Sequence, residues 1–215
     1  MAALLPDGRP VCRVLASVDG FLYPHEAVFL YRLAREGPGE GVIVEIGSFR
    51  GRSTLCLALG VRRRGAGVVC AVDPHLSGTA AELSRNLERF GALGAAEIIV
   101  APSVQVAATW RRPVRLLFVD GNHEEYNAYA DVISWLPHLA PGGFLLLHDS
   151  TPLSRFPGPQ KVAARVLKVG PQFEATGTIG SITWAQRRGA AVPWSPPQAG
   201  KILLDGLLAR LKEAD

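Results

Sequence analysis

The chain has 215 residues, 48% of them apolar and 20% charged, with a formal net charge of +4. This balance suits one globular α/β domain with a large core, and it excludes disordered and fibrous classes; no run of about 18 apolar residues is present to cross a membrane. Cys12, Cys56 and Cys70 are odd in number, widely spaced and set in apolar sequence, which argues against a disulfide framework or a zinc site and for reduced, buried thiols in a cytoplasmic protein.

Residues 1–22 show no basic region followed by a long apolar core, so no secretory leader is predicted and they read as an N-terminal lid or extension. A first helix is expected over 24–35, where Ala27, Phe29, Leu30 and Leu33 form an apolar face, and Gly37-Pro-Gly-Glu-Gly41 ends it. Val42 to Ile46 reads as a buried strand, broken by Gly47 and followed by a helix that opens at Ser53 and Thr54. A second strand over 67–73, a helix over 80–90 and a third strand over 97–101 follow, then Pro102-Ser103 and a short helix to Trp110. The fourth strand is 115–120, with a helix over 124–139. Pro141-Gly-Gly143 turns into the fifth strand, 144–149. A helix over 160–167 and two β-like segments, 173–176 and 181–186, complete the core pattern. Alternation of this kind predicts a doubly wound, Rossmann-like α/β fold: a mostly parallel seven-stranded sheet with helices on both faces. No repeat or long linker divides it, so residues 1–215 read as one domain. A proline-rich stretch sets off a C-terminal tail, 193–215, whose amphipathic segment 202–211 would pack on the core or on a second subunit of a homo-oligomer.

Arginines cluster at 62–64, 111–112 and 187–188. They fall in short connections without interleaved aromatics to stack on bases, so a solvated rim is favoured over a nucleic-acid surface.

The first chemical signal is Glu45-x-Gly47-x-x-x-Gly51. It is neither the Gly-x-Gly-x-x-Gly dinucleotide fingerprint nor a P-loop, which points to a nucleoside ligand without a pyrophosphate. Gly47 permits the turn and Gly51 a close backbone approach. The second strand then ends in Asp73, a carboxylate placed to accept hydrogen bonds from a ribose diol. In these two features the chain resembles the class I S-adenosylmethionine-dependent methyltransferases. The resemblance implies that S-adenosylmethionine is the cofactor and that Glu45, Gly47, Ser48, Gly51, Ser53, Asp73 and Asp120 surround it. Ser48 would meet the methionine end; Ser103 would meet adenine, or serve only as a helix cap.

The second signal lies where strands four and five end, the place where open α/β sheets bind ligands. Asp120-Gly-Asn-His123 and His148-Asp149 bring polar groups together at the mouth of an otherwise apolar sheet. Two carboxylates with imidazoles can hold a divalent cation, and an imidazole ligand shifts preference from magnesium toward manganese, iron or zinc. Val119 to Asp131, Trp135-Leu-Pro, Leu139-Ala-Pro-Gly-Gly143 and His148-Asp149 are similar to a bacterial subfamily that includes the metal-dependent sugar O-methyltransferases of macrolide biosynthesis and cephalosporin hydroxylase-like proteins. That likeness implies metal-assisted O-methylation of a small hydroxylated acceptor such as a sugar or glycoside. Asp120 and Asp149 would be metal ligands and His123 the general base, with Asp120 also in the catalytic set. Those relatives carry glutamate where this chain has His148, which would be a third ligand to magnesium or manganese or a donor behind the ligands. An N- or RNA-methyltransferase, or a silent cofactor-binding protein, is the alternative; the Asn/Asp-Pro-Pro-Tyr/Phe motif of amino-group chemistry is absent after strand four. Tyr126 and Trp135 read as core packing, and His75 as a loop or surface residue.

Overall fold

The computed structural model describes residues 11–189. The elements are α1 (Val11–Ala16), α2 (Pro24–Glu36), β1 (Val42–Ile46), α3 (Arg52–Arg64), β2 (Val69–Asp73), α4 (Ala80–Arg89), β3 (Ala96–Val100), α5 (Ser103–Thr109), β4 (Val114–Val119), α6 (Glu125–Trp135), β5 (Leu139–Leu147), α7 (Pro157–Val162), β6 (Phe173–Ile179) and β7 (Ile182–Arg187). The sheet has seven strands in the order β3-β2-β1-β4-β5-β7-β6. β1 to β5 are mutually parallel, while β7 lies antiparallel to both β5 and β6.

The antiparallel edge has a local cause. Only Gly180 and Ser181 join β6 to β7, and so short a hairpin can connect only antiparallel strands. In the sheet β7 lies between β5 and β6. This brings the hairpin tip to the carboxyl ends of the parallel strands.

Strand side chains divide by period two between two cores. Ile43, Phe118, Phe144 and Leu146 face α1, α2 and α3; Val44, Ile46, Val119, Leu145 and Leu147 face α5, α6 and α7. Both faces of the central strands are buried, which is why they read as continuous apolar runs. Glu45 shares the Ile43 face by this alternation and is fully buried. Trp135 belongs to the core as expected, whereas Tyr126 is 81% exposed. Cys56 and Cys70 are free, buried thiols. The side chain of Cys12, residues 1–10 of the expected lid, and the expected tail at 193–215 lie outside the described residues.

β1 and β4 are neighbours although β2 and β3 lie on the other side of β1, so the chain reverses its winding direction here. Loops leaving these strands diverge and open a crevice, the usual ligand position in such sheets.

Candidate active site

A cavity of about 1090 Å³ fills that crevice. Single-ligand pockets run to roughly 1,000 Å³, so there is room for a cofactor and a second molecule together.

The cofactor half is built by the turn after β1. Gly47 has φ +85°, and a Cβ there would lie 2.1 Å from the Asp120 carbonyl oxygen. Only glycine lets the two turns touch. The Gly47 amide donates to Val72 O at 3.0 Å and the Asp120 amide to Ile46 O at 2.8 Å, fixing both turns to the sheet. Asp73, at the end of β2, accepts from the Phe49 amide at 2.9 Å and from the His75 amide at 2.7 Å. Phe49 and His75 both hold positive φ, 45° and 48°, a conformation that costs a side-chain-bearing residue free energy and recurs at ligand sites. His75 lies in the loop after β2, one of the two positions read from sequence, and there it is buried. Its Nδ1 lies 2.8 Å from Thr79 Oγ1 and its Nε2 3.5 Å from Ser48 Oγ, so the ring props the turn from below.

Gly47, Ser48, Ser53, Asp73, Ser103 and Asp120 line the cavity as a group. Glu45 and Gly51 do not: Gly51 caps α3 with φ +92°, and Glu45 lies beneath the turn, accepting from Thr54 Oγ1 at 2.5 Å. Ser103 donates its hydroxyl to Asp131 of α6. Asp131 also faces the cavity and was not singled out in the sequence, because a lone aspartate on a helix reads as solvated.

The other half is a cluster of charge. The His148 ring sits with Nδ1 2.9 Å from Asp120 Oδ1 and 3.5 Å from Asp149 Oδ2, and Nε2 3.4 Å from Glu26 Oε2. Burial works against charging this imidazole, but the three carboxylates outweigh it and push its pKa up to about 12. It is therefore a fixed cation at neutral pH. Glu26, on α2, is fully buried. It accepts from the Tyr23 amide at 2.8 Å and from the Ser181 amide and hydroxyl at 2.6 Å and 2.8 Å. Nothing in the sequence marks Glu26, since its partners lie up to 155 residues away.

His123 completes the cluster, its Nε2 2.9 Å from Asp149 Oδ2. Burial pulls Asp149 upward, but bonds from His123 and His148 hold its carboxyl well below the usual range. The Phe156 ring stacks on His123 with centroids 3.9 Å apart and planes 16° from parallel. That stack depends on Gly158, where a Cβ would lie 2.2 Å from the His123 carbonyl oxygen. One ligand atom each of Asp120, His123 and Asp149 lies within 4.8 Å of the others, a spacing and donor set that fit a divalent cation. His148, expected either as a third ligand or as a donor behind the ligands, has both ring nitrogens turned to carboxylates.

A methyltransferase-domain model matches residues 44–150. Catechol O-methyltransferase of Mycobacterium tuberculosis is 31% identical over 157 residues, which cover 69% of this chain and 68% of that protein. The chain belongs to the class I S-adenosylmethionine-dependent methyltransferases. Its fold agrees. The O-methyltransferase TomG of Streptomyces achromogenes, involved in tomaymycin synthesis and solved with S-adenosylmethionine, superposes with a TM-score of 0.63 at 21% identity, over 79% of this chain and 82% of that one. An O-methyltransferase of Bacillus cereus, solved with the demethylated cofactor, gives 0.60 at 21% identity over 82% and 89%. S-adenosylmethionine is thus the cofactor of this methyltransferase, and the cavity has the room and the glycine-lined turn to take it.

Glu45 gives this methyltransferase a pH signature. Burial raises its carboxyl from 4.5 to about 8, against the lowering effect of the Ser53 and Thr54 hydroxyls, and its Oε1 has no hydrogen-bond partner. Between those values the folded chain keeps a proton that the unfolded chain releases. The stabilisation is complete below pH 4.5 and fades as pH rises toward 8. Glu45→Gln should therefore gain stability over wild type by roughly 2–5 kcal/mol across that window, read as denaturant midpoints at pH 5 and pH 8. A gap that does not widen with pH would refute the assignment.

Proposed function

We propose that this methyltransferase moves the S-adenosylmethionine methyl group to a hydroxyl of a small acceptor, with His123 as the base that removes the hydroxyl proton. The carrying observation is the His123–Asp149 pair, set in the cavity wall beside Asp120. A base held by a carboxylate is the recurring arrangement for proton abstraction. Asp149 accepting from Nε2–H leaves the lone pair of the neutral ring on Nδ1, the atom that takes the proton. Phe156 keeps the ring plane fixed and excludes water from one face.

The cofactor supplies the electrophilic methyl on its sulfonium. The protein's part is alignment and deprotonation. Asp73 would hold the ribose, Ser48 the methionine end and Ser103 with Asp131 the adenine side; Glu45, Gly51 and Ser53 would shape the turn. Asp120 and Asp149 would hold a divalent cation, magnesium or manganese, with His148 steadying Asp120 from behind; such an ion lowers the pKa of an acceptor hydroxyl. Phe21, Tyr23, Leu153 and Phe156 line the acceptor end and favour a flat phenolic ring. The catechol named for the Mycobacterium tuberculosis relative agrees with that. A sugar or glycoside is the second reading, supported by Asn122, Asn127 and Ser154 in the same wall.

Asp73→Ala should weaken cofactor binding by about 1–3 kcal/mol, the loss expected for a charge-assisted partner. Calorimetry in which the variant binds like wild type would remove Asp73 from the site. His123→Ala should lower turnover roughly 10²–10⁴-fold while cofactor affinity stays near wild type. Stripping metal from wild type with a chelator should slow methyl transfer comparably, and readdition should restore it; full activity in chelator would leave His123 acting without an ion.

A further inference from the structure

Three arginines line the cavity: Arg50, Arg52 and Arg155. Arg50 is committed to Asp19 and to Glu82, the latter at 3.1 Å. Arg52 donates from Nε to the Val18 carbonyl at 2.6 Å. Arg155 has no such partner among the described residues. It is exposed, and its guanidinium carbon lies 5.2 Å from the centroid of the Phe156 ring.

Phe156 is the ring stacked on His123, so Arg155 belongs to the acceptor end and not to the cofactor turn. The two contacts, 3.9 Å and 5.2 Å, cap the distance from the His123 ring to the guanidinium at their sum. A guanidinium at a cavity wall, set over a ring face and without an ion-pair partner, is a ready bidentate site for a carboxylate. At the reacting end the charges are already paired, His148 with Asp120, Asp149 and Glu26, whereas Arg155 is not. An acceptor whose negative group lies away from its reacting oxygen can meet Arg155 while its hydroxyl lies at His123. Phe21 and Leu153 also line the cavity and are exposed, at 85% and 69%, and exposed apolar side chains at a cavity are a usual mark of ligand contact.

We propose that the acceptor is a carboxylate-bearing hydroxylated compound, and that Arg155 is the residue that selects it by pairing with the carboxylate while the body of the molecule packs along Phe156. The assignment rests on the O-methyl-transfer reading of the site.

The test uses the full chain with S-adenosylmethionine and two matched pairs of acceptors, 3,4-dihydroxybenzoate against uncharged catechol and glucuronic acid against glucose. Selectivity is read as the ratio of kcat/KM for the charged over the neutral member. Wild type should prefer the charged member of whichever pair it methylates by about tenfold or more, and added salt should erode that preference. Arg155→Ala should cut the ratio about tenfold and Arg155→Glu should reverse it, with Arg155→Lys between. The change should sit in KM. Methyl transfer with a ratio that ignores Arg155 would overturn the selection by this residue and leave the O-methyltransferase reading standing. No transfer to any of the four would overturn both.

Discussion

The charged half of the cavity depends on one buried cation. His148 stands among Asp120, Asp149 and Glu26, and without its charge three carboxylates would face one another across the cavity wall. Such a cluster is tolerable only when every charge has a partner. The ring also joins parts of the chain far apart in sequence: Glu26 from α2, Asp120 from the end of β4 and, through Glu26, Ser181 at the tip of the β6–β7 hairpin. The same glutamate accepts the Tyr23 amide. The segment leading into α2 is therefore anchored to the charges beneath it. Removing His148 while leaving its partners would abandon buried charge in three elements at once.

The cluster also separates the roles of two histidines. His148 is locked as a cation with both nitrogens occupied. His123 has one nitrogen bound to a carboxylate and lies half-open to the cavity, in contact with Phe156. On the proposed reading, a base that gains and loses a proton each cycle needs the second environment, because the first holds its proton too tightly to release it.

What the sequence shows of this arrangement follows from how local each signal is. Strand ends are legible because burial on both faces makes continuous apolar runs, and the polar residue that stops each run falls at the sheet's mouth; Asp73, Asp120, His123, His148 and Asp149 are found that way. The glycine turn is legible because Gly47 meets the Asp120 backbone and its spacing is distinctive. Glu26 is invisible because a glutamate in the first turn of a helix is ordinary, and its real partners are a ring 122 residues away and a hairpin tip. Phe156 and Arg155 sit in a loop without periodicity. His75 reads as a loop residue, which it is, but its burial is not legible, since a left-handed turn that the sequence does not announce folds the ring toward Ser48. The antiparallel edge strands show the same limit: both read as β-like segments, and the insertion of β7 beside β5 does not read from the sequence.

The contact between Gly47 and the Asp120 backbone makes the two halves of the cavity share a wall one residue thick. Room for a bulkier acceptor cannot be made there without disturbing the cofactor turn. On the proposed reading, variation in acceptor is left to the 151–156 loop and the 19–23 approach, whose side chains reach the cavity from outside the sheet. An engineer, or evolution, would then rewrite those two stretches to change what is methylated while the cofactor turn stays as it is.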